Sequence, residues 1–213
     1  MIIQWFGHSY FRIDTKNKII AIDPYSESAT GLKPSRFKAD LLLITHQHED
    51  HNNKSVIMGD PLVLEGPGEI ETGGVFIEGI HSFHDKNQGK ARGLNTIYLI
   101  KSEEITFCHL GDLGEKDLKE ETLEKVANVD ILLVPIGGNY TIDYEEAVSL
   151  INQIEPKIII PMHYALPQLK IKLDPLDKFI KAISKKPEVL DKLVIRKTQL
   201  PKETKLIVLK PNL

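Results

Sequence analysis

The sequence predicts an α/β chain in which two β-sheets meet and helices cover their outer faces. Three observations carry this. Roughly the first half reads as short strand-like runs broken by turns, and the second half alternates apolar runs with helical stripes. Several apolar runs, among them Leu41-Leu42-Leu43-Ile44 and Ile158-Ile159-Ile160, are unbroken, and a strand of that kind must be covered on both faces.

The elements follow in order. Ile2 to Phe6, Tyr10 to Ile13 and Lys18 to Ile22 read as a strand meander with polar or glycine-containing turns. Pro24 to Lys38 holds serines, glycine and two prolines and reads as a long irregular connection. Leu41 to Ile44 is a buried strand, and residues 60 to 107 read as mostly β, with turns at Gly66-Pro67-Gly68, Gly73-Gly74 and around Gly89 to Gly93. Lys116 to Val126 is a helix with Leu118, Leu123 and Val126 inward, and Ile131 to Val134 is a buried strand. Asp143 caps the next helix with Glu146 at N3; Tyr144, Ala147, Val148, Ile151 and Ile154 share its face, and Pro156 stops it. Ile158 to Ile160 is a strand, Asp174-Pro175 starts a helix with Leu176, Phe179, Ile180 and Ile183 as its stripe, and Leu206 to Leu209 is a closing strand. No repeat or linker divides the chain, so a single domain over residues 1–213 is expected.

Composition narrows the function. With 27 Lys plus Arg against 30 Asp plus Glu, the net charge of -3 argues against a strongly basic nucleic-acid binder. An apolar content of 41% can fill a core. One cysteine, Cys108, excludes an internal disulfide framework and an all-cysteine metal site. No signal peptide or bilayer-spanning run is visible, so a cytoplasmic protein without membrane contact is expected.

The eight histidines carry the functional argument. His8, His46, His109 and His163 each come just after a predicted strand, and strand ends in layered α/β folds converge on a crevice. The densest signal is Thr45-His46-Gln47-His48-Glu49-Asp50-His51, four potential metal ligands within six residues. Imidazole and carboxylate together suit zinc, manganese or iron(II) rather than calcium. Asp112 follows His109 through Gly111, which permits a tight turn, and a carboxylate there can return to the pocket and bridge two cations. Against these stand a polar loop with surface histidines, a helix-capping Asp112, and a His163 hydrogen-bonded at the core edge.

These residues resemble the metallo-β-lactamase superfamily, whose signature His-x-His-x-Asp-His stands here as His46-x-His48-x-Asp50-His51. The resemblance implies a four-layer αβ/βα sandwich, with two mixed sheets face to face and the site at one edge. It implies that His46, His48 and His109 hold one metal, that Asp50, His51 and His163 hold the other, and that Asp112 bridges them. More narrowly, Gly7-His8-Ser9, Ile22-Asp23-Pro24, His84-Asp85, Gly93-Leu94-Asn95-Thr96, Pro135-Ile136-Gly137-Gly138 and Pro161-Met162-His163-Tyr164 look like the predicted metal-dependent hydrolases that include L-ascorbate-6-phosphate lactonase-like proteins. Those relatives also imply a homo-oligomer. Flavodiiron relatives place Glu where His48 stands, which disfavours a diiron redox centre, and the arm of tRNA-processing relatives has no room here.

The expected chemistry is hydrolysis of a small ester, lactone or phosphodiester by a hydroxide shared between two divalent cations, zinc first, with manganese or iron as alternatives. Asp50 would orient the nucleophile as well as ligate. His8 and His84 are further catalytic candidates, as pocket lining or proton carriers. Asp23 could accept a hydrogen bond from a ligating imidazole. Gly138 and Tyr140 are expected to shape the pocket, and Lys86, Lys90 and Arg92 could attract an anionic small-molecule substrate, though a solvated basic loop is the simpler explanation of the three. Cys108 is read as a buried apolar residue. The rivals are a nuclease, which needs a positive track, and a metal-stabilised interaction protein, which needs no open coordination position.

Overall fold

The computed structural model describes residues 1–213. Its strands in chain order are β1 (Ile2–Trp5), β2 (Phe11–Asp14), β3 (Ile19–Ile22), β4 (Phe37–Lys38), β5 (Leu41–Ile44), β6 (Ile57–Met58), β7 (Leu62–Glu65) and β8 (Gly68–Thr72). There follow β9 (Val75–Phe83), β10 (Leu94–Ser102), β11 (Ile105–His109), β12 (Ile131–Pro135), β13 (Ile158–Met162), β14 (Pro187–Leu190), β15 (Leu193–Val194) and β16 (Lys205–Leu209). The helices are α1 (Glu27–Thr30), α2 (Glu120–Val126), α3 (Tyr144–Ile154) and α4 (Leu176–Ile183). None of them is long and apolar enough to cross a membrane.

Two mixed sheets form the αβ/βα sandwich. The six-stranded sheet runs β15-β1-β2-β3-β5-β7 and the eight-stranded sheet runs β14-β16-β13-β12-β11-β10-β9-β8. β5 shows why its apolar run is unbroken. Leu41 and Leu43 enter the main core between the sheets, while Leu42 and Ile44 enter a second cluster with Phe6, Tyr25 and Phe37 on the outer face. That outer face is covered by the 23–39 connection, the short α1 and the β4–β6 pair rather than by long helices. On the other side, Ala147, Leu150, Ile151 and Ile154 of α3 and Phe179 of α4 are buried against the eight-stranded sheet's cluster. The predicted capping box of α3 is present: Asp143 accepts from the Glu145 and Glu146 N–H groups, and Glu146 accepts from the Asp143 N–H. The helix read from Lys116 begins at Glu120, and the segment read without structure after α4 contributes β14 and β15.

Strand direction fixes where the loops gather. β1 and β2 are antiparallel, as are β2 and β3, and β5 runs parallel to β3. The carboxyl ends of β1, β3 and β5 therefore share one edge. Antiparallel pairing of β9 with β10 and of β10 with β11, then parallel pairing through β12 and β13, does the same in the other sheet. The two edges are joined where the Thr96 N–H donates to the Thr45 carbonyl (2.9 Å) and the Tyr98 hydroxyl to the Ile44 carbonyl (3.0 Å).

Candidate metal centre

The loop after β5 is organised from beneath by Asp23, a fully buried carboxylate one residue past β3. Its Oδ1 accepts the Thr45 N–H (2.8 Å) and its Oδ2 accepts the Thr45 hydroxyl (2.7 Å). Oδ2 also lies 3.0 Å from His51 Nδ1. Because the Thr45 hydroxyl donates to Asp23, its oxygen is free to accept from His46 Nδ1 at 3.0 Å. Both imidazoles thus carry their proton on Nδ1 and present Nε2 forward, the arrangement by which outer carboxylates orient metal-binding histidines. Asp23 itself sits at φ 49°, as His8 does at 53° and His163 at 51°. This left-handed region costs an ordinary residue on the order of 1–2 kcal/mol, so the surrounding packing must hold three site residues there.

The nitrogens converge in overlapping sets. Ligand atoms of His46, His48 and His84 lie within 4.8 Å of one another, as do those of His8, His51 and His163 and those of His46, His51 and Asp112. Asp112 Oδ2 lies between the sets, 3.0 Å from His163 Nε2, 3.2 Å from His51 Nε2 and 3.5 Å from His84 Nε2. Asp50 Oδ2 is 3.1 Å from His8 Nε2 and 3.6 Å from His51 Nε2. Two candidate clusters joined by one carboxylate oxygen fit a pair of divalent cations, and their nitrogen and oxygen donors suit zinc, manganese or iron alike. The buried His46 Nε2 has no hydrogen-bond partner, which a cation at this position would explain.

His109 is a correction to the expected ligand set. It does not follow a strand but is the last residue of β11, paired with Tyr98 and Leu133, and its ring turns between the sheets against Phe11. Its Nδ1 accepts the Gly111 N–H (3.0 Å) and its Nε2 meets the Ser9 carbonyl (3.2 Å). Both nitrogens are engaged, so no lone pair faces the site. His84 stands in its place, one residue past β9, with its ring 4.6 Å from that of His46 and 5.0 Å from that of His48. The missed signal was a strand ending at Phe83, hidden within a stretch read only as mostly β. Gly114 packs against this candidate ligand, since a Cβ there would collide with the His84 backbone carbonyl.

The other candidates are placed as follows. His8 is wholly buried behind Asp50 and His51, with its carbonyl accepting from Trp5 Nε1 (3.0 Å) and from the His163 N–H (3.0 Å). Tyr140 lines a cavity of about 460 Å³ whose floor includes His48, Asp50, His84 and Asp112. Gly138 does not line it; it turns the backbone beneath Tyr140 at φ 59°. Lys86 is paired with Glu146 outside the cavity, Lys90 is not among its lining residues, and Arg92 is. Cys108 is buried, and burial raises its thiol far above the ordinary range.

Electrostatics favours cations here. Burial alone would raise Asp112, but His163 and His51 outweigh it and hold the carboxyl well below its usual range. Burial alone would lower His51, but Asp112, Asp23 and Asp50 outweigh it and hold the ring well above its usual range. Burial, then repulsion from His51, pushes His46 well down, and burial also lowers His84. Burial and then His163 bring His8 down to about 4. The site thus combines ionised carboxylates with imidazoles at His8, His46 and His84 that burial keeps neutral, while His51 holds a proton that a bound cation would displace.

Comparison with known proteins agrees with this geometry. A family model described as the beta-lactamase superfamily domain matches residues 2–163. A UPF0173 metal-dependent hydrolase of Pyrococcus horikoshii is 31% identical, over 88% of this chain and 94% of its own. Another from Nanoarchaeum equitans is 32% identical, over 89% of this chain and 95% of its own. The crystal structure of a Thermotoga maritima protein, described as a candidate Zn-dependent hydrolase of the metallo-beta-lactamase superfamily, superposes with a TM-score of 0.81 at 34% identity, covering 98% of this chain and 97% of that one. Igni18, a metallo hydrolase from Ignicoccus hospitalis, shares the fold with a TM-score of 0.69 at 23% identity, covering 99% of this chain and 95% of its own. A matched signature, a shared sandwich and convergent ligands at one sheet edge make this chain a member of the metallo-β-lactamase superfamily, allied to its UPF0173 metal-dependent hydrolases.

Proposed function

We propose that the chain, as one domain over residues 1–213, is a dinuclear metal-dependent hydrolase of a small ester, lactone or phosphodiester. The observation that supports this best is Asp112 Oδ2 set between two histidine clusters at the floor of an open cavity. A purely structural metal site would be closed by protein groups. In this reading His46, His48 and His84 would hold one cation, Asp50, His51 and His163 the other, with Asp112 shared between them. Two bound cations would supply an activated water and polarise the substrate oxygen.

The chain's own residues do the rest. Burial would raise Asp50, but His51 and the hydrogen bond from His8 outweigh it and keep the carboxylate ionised and facing the cavity. It is placed to take the proton of the attacking water. His8, closed off from the cavity, acts as a positioning residue for that carboxylate rather than as the leaving group's donor. The narrower likeness to lactonase-like proteins rests on the motifs around His8, His84 and Gly137, and a cytoplasmic setting belongs to the same reading.

The test is a parallel assay of the zinc- and manganese-loaded chain against lactones, carboxylic esters, phosphodiesters and thioesters, with Asp50→Ala as control. Turnover of one class, lost in the variant, is expected. Full activity in Asp50→Ala would remove the assigned proton acceptor.

A further inference from the structure

The cavity over the candidate centre carries two cations that no carboxylate neutralises. Arg92 and Lys170 both line it, and neither has an Asp or Glu oxygen within ion-pairing distance. By contrast Lys86, on the same loop as Arg92, is paired with Glu146, and Lys178 with Asp174. An unpaired basic pair beside a hydrolytic floor calls for an anion from outside the chain.

Arg92 is held at its side chain, and Lys170 is anchored at its backbone. Arg92 ends a loop that starts at the candidate ligand His84 and is gathered on one carboxylate. Asp85 Oδ1 accepts the Asn87 and Gly89 N–H groups, and Oδ2 accepts those of Ala91 and Arg92. The guanidinium lies 4.6 Å over the Tyr140 ring and donates one bond to the Asn139 carbonyl (3.0 Å). Stacking fixes its plane, and its remaining N–H groups have no protein partner, which leaves an edge suited to two oxygens of an oxyanion. On the same cavity the Lys170 N–H donates to the Thr30 carbonyl (2.8 Å), so its backbone is tied to the end of α1. Its ammonium is a mobile point charge, where Arg92 is a fixed fork.

We propose that Arg92 and Lys170 form an anion-binding rim that receives a second anionic group of the substrate, a carboxylate or phosphate carried apart from the bond that is cleaved. The proposal rests on the hydrolase reading of the same cavity, and it narrows the substrate class to small anionic esters or lactones. Tyr140, which lines the same cavity and carries the guanidinium on its ring, offers apolar surface beside that anion.

Inert amides separate this proposal from turnover. Binding of acetanilide, succinanilate and phosphonoacetanilide to the zinc-loaded chain is measured by calorimetry, the last two distinguishing carboxylate from phosphate. One or both anionic amides should bind at least tenfold more tightly than the neutral one. Arg92→Gln should lower that preference about tenfold and Lys170→Gln about threefold, as expected for one fixed and one mobile charged donor, whereas Lys86→Gln should keep it. Phenyl acetate and phenyl hemisuccinate then report hydrolysis. Preference for the anionic amide without hydrolysis of either ester, and without turnover of the lactones, phosphodiesters and thioesters assayed in parallel, sustains the rim and removes the hydrolase reading. Equal binding of neutral and anionic amides, or a preference untouched in both variants, overturns the rim even if both esters are cleaved.

Discussion

Asp23 provides a sharp test, because it touches no substrate yet orients two candidate ligands. Replacing it with Ala removes the acceptor for the Thr45 N–H, the Thr45 hydroxyl and His51 Nδ1 at 2.8, 2.7 and 3.0 Å, all in a fully buried setting. The hydroxyl can rotate to another acceptor, but the amide and the imidazole cannot. Each buried donor left unpaired costs about 1–3 kcal/mol, and breaking a buried charged pair about 3–5 kcal/mol. We expect Asp23→Ala to lose about 3–5 kcal/mol in urea unfolding of the metal-free chain, and roughly 6–20 °C in thermal midpoint for a domain of this size. Zinc affinity, read by competition with a chromophoric chelator, should fall about 10–100-fold. Asp23→Asn keeps the shape but turns an amide donor toward one of the donors it replaced. It should therefore weaken zinc binding with a smaller loss of stability. An Asp23→Ala protein within about 1 kcal/mol of the parent and with unaltered zinc affinity would refute the argument that this carboxylate sets the imidazole tautomers.

Three further outcomes are expected. His84→Ala should bind less zinc per chain in elemental analysis, whereas His109→Gln should keep the full complement and instead lower the thermal midpoint, since its nitrogens bond to Gly111 and Ser9. Gly114→Ala must displace the His84 backbone, so it should reduce zinc uptake although it adds a single methyl group; unchanged uptake would show that the loop yields freely. Asp130 tests a pH dependence away from the centre. Burial would raise its carboxyl, but Lys157, the Thr106 N–H and Lys197 outweigh this and hold it below 3.8. A depressed folded-state carboxyl contributes stability above its unfolded value and loses it as pH falls through the folded one. The stability gap between the parent and Asp130→Asn should therefore be full at pH 6 and shrink below about pH 4, and a gap that grew on acidification would reverse the sign of the argument.

The run from His46 to His51 was legible because local spacing alone makes it dense in ligands. Asp112 was legible because Gly111 lets the chain turn back just past β11, and His163 because it follows a strong apolar strand. His84 and His109 were exchanged for a physical reason. A short apolar run before His109 suggested a strand end, but pairing with Tyr98 and Leu133 carries β11 through that residue. β9, nine residues of mixed character, gave no comparable marker of its own end. Lys170 sits in a loop with no pattern of its own, and only the folded chain brings it to the same cavity as Arg92. The short strands β4, β6, β14 and β15 are held by pairing partners rather than by periodicity, so their sequences carried little signal.

The division of the ligands between the two sheets has a consequence for how the protein matures. Residues 46 to 51 leave the smaller sheet, while His84, Asp112 and His163 leave the larger one. On the proposed assignment neither sheet carries a complete cage by itself, so ion capture would follow the docking of the two sheets. Ions bound there would clasp the two sheets together, and the occupied form would gain resistance to prying apart that neither sheet possesses alone.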